Sequence, residues 1–439
     1  MSIQVNMNRA MLYRQRKMNV SVSRQFEELT LSKKKQKSIN LFFWGLLLNC
    51  LSYLTAITSN PVFSPPVCQG FQAIALAMVI SSSIDLMKFK FDDKYLESIF
   101  PIFIFYCVGI IFRDPGMDYN TWKRVLFDPG YGMMGYLVPL VILFPRNLYL
   151  YKRVFYMLMI FGALFIVYVI AYYDVVHNPS WTDQLALAYT ENFFGVLSFP
   201  TGFILLTFVY HKKKVNRYIL ALFIFTLYLL IFRARRGAML LSLTTLAATG
   251  MMYLIYTKQR GLLIALSVFF AMLSTVSVSN IKLPGMFDFL MSRGDEDTRT
   301  GMEVYMKADM NTTEWLFGKG INGKYYCPVL IDPMDLSGKR DIIETGYLQM
   351  ALKGGYIYLG LYLAILIPAL YRGFFKSKNM LAKGAAMHIL LSLVYIYPTI
   401  VEGFGFFYLI LWMSAGICYS KKIRNMSDIT IKTYLQRLK

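Results

Sequence analysis

The stretch "IFRARRGAML" (Ile231–Leu240) sets three arginines between two apolar runs, 217–232 and 237–257. A helix needs about 20 apolar residues to cross the hydrocarbon core of a bilayer. If both runs are such helices, the chain is a membrane protein, and the side on which Arg233, Arg235 and Arg236 emerge becomes the question. Composition settles the first point. Of 439 residues 56% are hydrophobic and only 16% charged, with a mean hydropathy of +0.45. That profile lies outside the soluble globular range and indicates an all-α polytopic membrane protein.

Twelve runs meet or approach spanning length: 39–60, 66–87, 97–112, 131–145, 153–173, 194–210, 217–232, 237–257, 261–279, 344–371, 384–400 and 403–420. They divide the chain into a basic N-terminal segment (1–38), nine spans (39–279), a long loop (280–343), three spans (344–420) and a tail (421–439). The first apolar run is too long for a signal-peptide core and lacks a cleavage site. Cys50, Cys68, Cys107, Cys327 and Cys418 are scattered singly. Neither a disulfide framework nor a zinc site is expected. The net charge of +21 does not point to nucleic acid, because most Lys and Arg lie in short segments beside apolar runs. There they direct topology and suit anionic membrane lipids.

Lys/Arg bias gives the orientation. With the N-terminus inside, the inner segments carry 31 Lys and Arg against 14 in the outer ones, and Lys353 is left near the start of a span. Eight of the 14 lie in the long loop, where they count little. The expectation is twelve spans with both termini inside. Arg233, Arg235 and Arg236 then fall on the outer side, which is normally poor in basic residues. From Arg217 to Arg233 is 16 residues, about 24 Å of helix, less than the roughly 30 Å hydrocarbon thickness. The arginines are expected at or just below the headgroup level, and ionisable residues at that depth are candidates for function.

Arg233 and Arg236, three apart, would share a helix face, and Gly237 can break the helix so that all three gather. The next span opens beside them with unpaired amides and a favourable dipole, and guanidinium groups grip phosphate oxygens in pairs. The pattern reads as a phosphate or pyrophosphate clamp. The alternative is anchoring to headgroups or pairing with loop carboxylates.

The loop 280–343 lies on the same side. In "TRTGMEVYMKADM" (Thr298–Met310), Met302, Tyr305, Met306 and Met310 mark an amphipathic helix, expected on the membrane face, with a Thr300…Glu303 capping box. Its polar face carries Arg299, Glu303 and Lys307. "LFGKGING" (Leu316–Gly323) is a glycine turn without the context of a nucleotide fingerprint. Trp315, Tyr325 and Tyr326 suit either sugar stacking or, by the stronger prior, interfacial anchoring. Glu344 opens the next span, with Tyr347 and Gln349 just inside. Its carboxylate is either a general base within an arginine-rich cavity or a helix-start residue favoured by the dipole. Glu191, Asp183, His177 and Glu402 are secondary candidates for acceptor contacts, each with a structural role as its alternative.

The order of these features resembles the O-antigen polymerase/O-antigen ligase superfamily of bacterial inner membranes. Three motifs carry the likeness over roughly residues 230–365: "RARRGAML" opening a span, Arg299 followed by a helix and "WLFGKG", then "ETGYLQMALKGGYIYLG". The resemblance implies transfer of a glycan from undecaprenyl pyrophosphate at the periplasmic face. The acceptor would be another lipid-linked repeat unit (polymerase) or lipid A–core (ligase), and a chain-length regulator protein is an implied partner. Family arginines thought to hold the pyrophosphate map to Arg233, Arg235 or Arg236, and to Arg293 or Arg299. Apart from this mapping, Tyr347, Trp315, Tyr325, Glu402 and His177 are the candidates for substrate and acceptor contacts by their residue type and position alone. Ligases show a His-Asn pair where this chain has Glu344-Thr345, and its histidines, His177, His211 and His388, lie outside the large loop. That departure favours a polymerase with Glu344 as base.

Such chemistry needs neither metal nor cofactor, since arginines stabilise the leaving pyrophosphate. A lipid-linked oligosaccharide flippase is the competing class. Transporters usually carry a repeat between halves and midplane charges, whereas this sequence shows no repeat and its charges cluster on one face.

Overall fold

The computed structural model describes residues 31–56, 63–113, 118–173, 192–232, 235–257, 298–328 and 337–437. The helices, in order, are α1 (Lys33–Ala56), α2 (Pro65–Leu86), α3 (Lys94–Phe112), α4 (Tyr119–Phe127), α5 (Met133–Leu137), α6 (Leu148–Ala171), α7 (Gly202–Leu206), α8 (Lys213–Phe232), α9 (Arg236–Thr257), α10 (Thr298–Asp309), α11 (Thr312–Phe317), α12 (Gly346–Phe375), α13 (Met380–Tyr395), α14 (Phe406–Tyr419), α15 (Lys421–Arg424) and α16 (Asp428–Arg437). The strand content of the described residues is one two-residue antiparallel pair, β1 (Tyr325–Tyr326) with β2 (Lys339–Arg340).

This is an all-α, multi-pass membrane protein. Among the described residues α1, α2, α3, α6, α9 and α12 are long and apolar enough to cross a membrane, and shorter apolar helices accompany them. Large apolar side chains such as Ile84, Phe105, Val167 and Ile170 face outward. A contiguous apolar exterior of that kind needs lipid rather than water around it. Inside, Phe103 stacks on Tyr358 (5.7 Å between centroids) and lies 5.3 Å from Trp412, which joins α3, α12 and α14. Ser198 and Thr226 hydroxyls bond at 2.7 Å in the buried core, a polar link typical of helices that pack in lipid.

Helix ends follow local chemistry. Asp93, Asn147 and Asn379 cap α3, α6 and α13 by accepting backbone N–H groups, which satisfies donors left open in the first turn. Two expected spans are not regular helices. Run 131–145 is α5 followed by a 3-10 turn over Val138–Leu143. Run 194–210 passes from a π turn through 3-10 turns flanking α7. Pro139 and Pro200 remove amide donors in these stretches, and tighter turns restore the hydrogen bonding. Run 261–279 lies outside the described residues.

The two ends of the bundle differ in chemistry. At one end lie the ion pairs Lys34–Asp85 (3.1 Å), Arg146–Asp92 (2.9 Å) and Arg372–Asp93 (3.1 Å). There α16 is tied in by Tyr210 Oη and the Met380 amide, which both donate to Asp428. The opposite end gathers α4, the 128–135 turn, the loop helices α10 and α11, the start of α12 and the 396–405 connection. It is held by Ile321 N to Ile110 O (3.1 Å), Gly346 N to Ile396 O (2.9 Å) and Phe404 N to Pro129 O (2.5 Å).

Candidate functional site

The site is built around a helix break. Gly355 sits at φ 70°, ψ −177°, so α12 is two helical pieces joined at a kink. That conformation is essentially reserved for glycine. Carbonyls freed at the break would be costly if left unpaired in an apolar setting. The "LFGKG" turn supplies partners: Lys319 N donates to Leu352 O (2.7 Å) and Gly320 N to Lys353 O (2.9 Å). Tyr106 Oη donates to Gly354 O at 2.8 Å. Gly318 and Gly320, at φ 75° and 84°, allow the backbones to meet. A Cβ on Gly318 would fall 2.4 Å from Lys353 O. Arg113 from the end of α3 donates to the carbonyls of Phe317 and Gly318.

Around this joint the loop folds on itself. Asn311 and Glu314 form a capping box at the start of α11. α10 already runs from Thr298, so Thr300 lies within the helix rather than at its cap; Glu303 accepts from Thr345 Oγ1 at 2.6 Å. Nor does the methionine face of α10 lie on the membrane. Met302, Met306 and Met310 are buried against Tyr325, Cys327, Ile343 and Leu352. A protein surface covers the apolar stripe, so lipid is not needed. Lys319 is bracketed by Asp309 and Glu314, which holds α10, α11 and the turn together.

A narrow, partly open cleft, wide enough for water, lies between this joint and the bundle. Gln349, Lys353 and Tyr358 line it from α12, Tyr136 from α5, and Glu402 from the 396–405 connection. Bare backbone at Gly130, Gly132, Gly135 and Gly403 forms much of the rest. Tyr358 Oη donates to Glu402 Oε1 at 2.6 Å. Burial pushes the Glu402 carboxyl up to about 7, opposed by that hydrogen bond. Lys353 is buried, with Nζ donating to Gly323 O at 2.9 Å. Gln349 clamps the loop end by accepting from Ile343 N (2.9 Å) and donating to Asp341 O (3.2 Å). Arg124 pairs with Asp341 and donates to Asn322 Oδ1 at 3.1 Å, beside the cleft. Burial also raises the carboxyl of Asp128, against donation by the amides of Gly130 and Tyr131 and the nearby Arg124 charge.

The arginine turn reaches the same end. α9 begins at Arg236, and Arg235 directly precedes it; the expected shared face of Arg233 and Arg236 involves Arg233, which lies outside the described residues. Gly237 lies in the first turn of α9 and does not itself interrupt a helix. Its Cα side faces Pro398, whose Cβ would be 3.5 Å from an added methyl. Arg236 is exposed and Arg235 half-buried. Pro398 is four residues from Glu402, which limits their separation to roughly 14 Å of chain. The 396–405 connection therefore touches the arginine turn, the start of α12 and the cleft.

Glu344 is exposed, two residues before α12, which opens at Gly346. Tyr347, expected as an acceptor contact, is half-buried and its hydroxyl donates to Leu393 O at 2.5 Å. Trp315 stacks on Tyr356 (5.2 Å, 16°). Tyr325 is fully buried in the loop core with its hydroxyl on Ile342 O (3.3 Å), so it is packing rather than a contact surface. Tyr326 is exposed. His388 is buried and His211 half-buried, each against aromatic rings of the bundle. Arg233, Arg293, His177, Asp183 and Glu191 lie outside the described residues, as does the side chain of Arg299.

Sequence reading missed the cleft partners Tyr136, Tyr358 and Lys353. One signal was present: Lys353 was the lone basic residue inside a span, beside a Gly-Gly pair that marks a break. No family model, curated protein or solved structure matches this chain.

Proposed function

We propose that the protein is a glycosyltransferase that polymerises undecaprenyl-pyrophosphate-linked oligosaccharide repeat units, of the O-antigen polymerase type. The observation that carries this reading is the convergence at one bundle end. The 396–405 connection touches Gly237 beside the arginines through Pro398, Gly346 through the Ile396 carbonyl, and the cleft through Glu402. In this account the topology is twelve spans with both termini cytoplasmic, in a bacterial inner membrane, and that end faces the periplasm. The gathering of Lys34, Arg146 and Arg372 at the opposite end agrees with the charge bias of inner segments.

Donor pyrophosphate would sit on Arg235 and Arg236 at the start of α9, with Arg233, Arg293 and Arg299 as further candidates. Guanidinium groups and helix-start amides oppose the charge that develops on the leaving group. Glu344 would accept the proton of the attacking hydroxyl as its oxygen bonds the anomeric carbon and undecaprenyl pyrophosphate leaves in line from the opposite face. Partners are a lipid-linked donor, a lipid-linked acceptor, surrounding lipids and a chain-length regulator. Ligation to lipid A–core is the nearest alternative, disfavoured by Glu344-Thr345 in place of His-Asn. A flippase draws support from the break at Gly355, since discontinuous helices line transporter sites; here, however, the break is filled by loop backbone. Arg236→Ala and Glu344→Gln should each abolish chain lengthening in cells while leaving membrane insertion intact. Polymer of normal length from both variants would remove the mechanism.

A further inference from the structure

Glu402 lines the cleft, and the mechanism above does not use it. One oxygen, Oε1, accepts from Tyr358, and Oε2 has no hydrogen-bond partner among the described residues. On the same cleft stands the buried ammonium of Lys353. An ammonium only donates, whereas a carboxyl accepts when ionised and can also donate when protonated. Groups that both donate and accept, such as a sugar hydroxyl, satisfy the two together. The remaining walls suit the same ligand. Tyr131, Tyr136 and Tyr358 offer aromatic surface for C–H faces, and the glycines leave backbone close to whatever enters. An added Cβ at Gly135 would stand 3.2 Å from the Gly403 Cα, so side chains at these positions would close the cleft. Its free space, about that of a water molecule, admits a single hydroxyl group rather than a whole sugar. The aromatic stack of Tyr358, Phe103 and Trp412 behind it keeps the floor rigid.

We propose that the cleft between α5, α12 and the 396–405 connection receives a hydroxyl group of the acceptor saccharide, with Glu402 and Lys353 as its hydrogen-bonding partners. This rests on the glycan-transfer reading and adds where the acceptor binds. Lys353 also holds Gly323, so acceptor binding is linked to the seating of the "LFGKGING" turn.

The test uses the full-length protein in lipid nanodiscs. The probe is the water-soluble oligosaccharide released by mild acid from polyprenyl-linked repeat units. Binding is followed by saturation-transfer NMR for the unaltered protein, Glu402→Gln and Tyr358→Phe. The second variant keeps the ring in its stack and removes only the hydroxyl. We expect binding by the unaltered protein and at least tenfold weaker binding by both variants, with thermal midpoints preserved. Equal binding by all three, or no binding by the unaltered protein at millimolar oligosaccharide, overturns the proposal. Polymerisation is scored separately with intact lipid-linked units. Absence of lengthening with retained, Glu402-dependent binding sinks the polymerase reading and leaves the acceptor cleft standing.

Discussion

Replacing Gly355 with alanine should undock the loop carrying α11 and the glycine turn from α12. Two costs add. A non-glycine residue at φ 70°, ψ −177° costs about 1–3 kcal/mol in backbone strain. An added Cβ would also lie 2.2 Å from Leu316 O and 2.5 Å from Phe317 N, distances that force α11 and the glycine turn to move away. The two backbone bonds from Lys319 and Gly320 to Leu352 and Lys353 then weaken, at about 1 kcal/mol each. The sum is roughly 3–5 kcal/mol, and even the lower figure is about a hundredfold in an equilibrium. Hydrogen exchange of the Lys319 and Gly320 amides in nanodiscs reads this directly. Their protection should fall about a hundredfold in Gly355→Ala, while the amides of α13 and α14 stay as they were. Unchanged protection at 319–320 would refute the reasoning, because it would mean that the loop does not rest on the helix break.

Glu402 should make stability depend on pH. Its carboxyl rises from an ordinary 4.5 to about 7 on folding, so its contribution is fully present below about pH 4.5 and is lost as pH rises through 7. The shift is worth at most about 3 kcal/mol, less any solvent screening. The thermal midpoint should fall over that window, and Glu402→Gln should flatten the profile; an equally steep profile in the variant contradicts the shift. Topology is open to cysteine labelling because the five native cysteines are buried. Lys307→Cys on the loop helix should react with an impermeant maleimide from outside intact spheroplasts, and Lys421→Cys only after permeabilisation. Labelling of both from one side would contradict the assigned ends. Breaking the Lys319 bracket with Lys319→Met should increase protease cleavage between α10 and α11, and unchanged cleavage would show that the bracket is dispensable.

Much of the scaffold is legible in the sequence because lipid imposes strong rules. Long apolar runs such as 66–87 and 237–257 become α2 and α9 within a residue or two. Where proline interrupts, as at Pro139 and Pro200, run length alone misjudges the element, since the hydrogen bonds move to 3-10 and π turns. The site is less legible because its partners are remote in sequence. Arg113 meets Phe317 across 204 residues and Arg124 meets Asp341 across 217. The methionine stripe of α10 has the right period, but periodicity does not say whether lipid or protein covers a face. Glu402 stood out as an ionisable group between two apolar runs; nothing near it in sequence announces Tyr358 or Lys353. Backbone-to-backbone docking of "LFGKG" on "KGG" was foreshadowed only by the glycines themselves.

The most direct test of the central claim is reconstitution. Purified protein in proteoliposomes is supplied with undecaprenyl-pyrophosphate-linked repeat units, without nucleotide sugar, and the products are resolved by size. The account predicts a ladder spaced by one repeat unit, absent when Arg236→Ala or Glu344→Gln is used. Repeat units that remain single, or that are only moved across the bilayer, would contradict it.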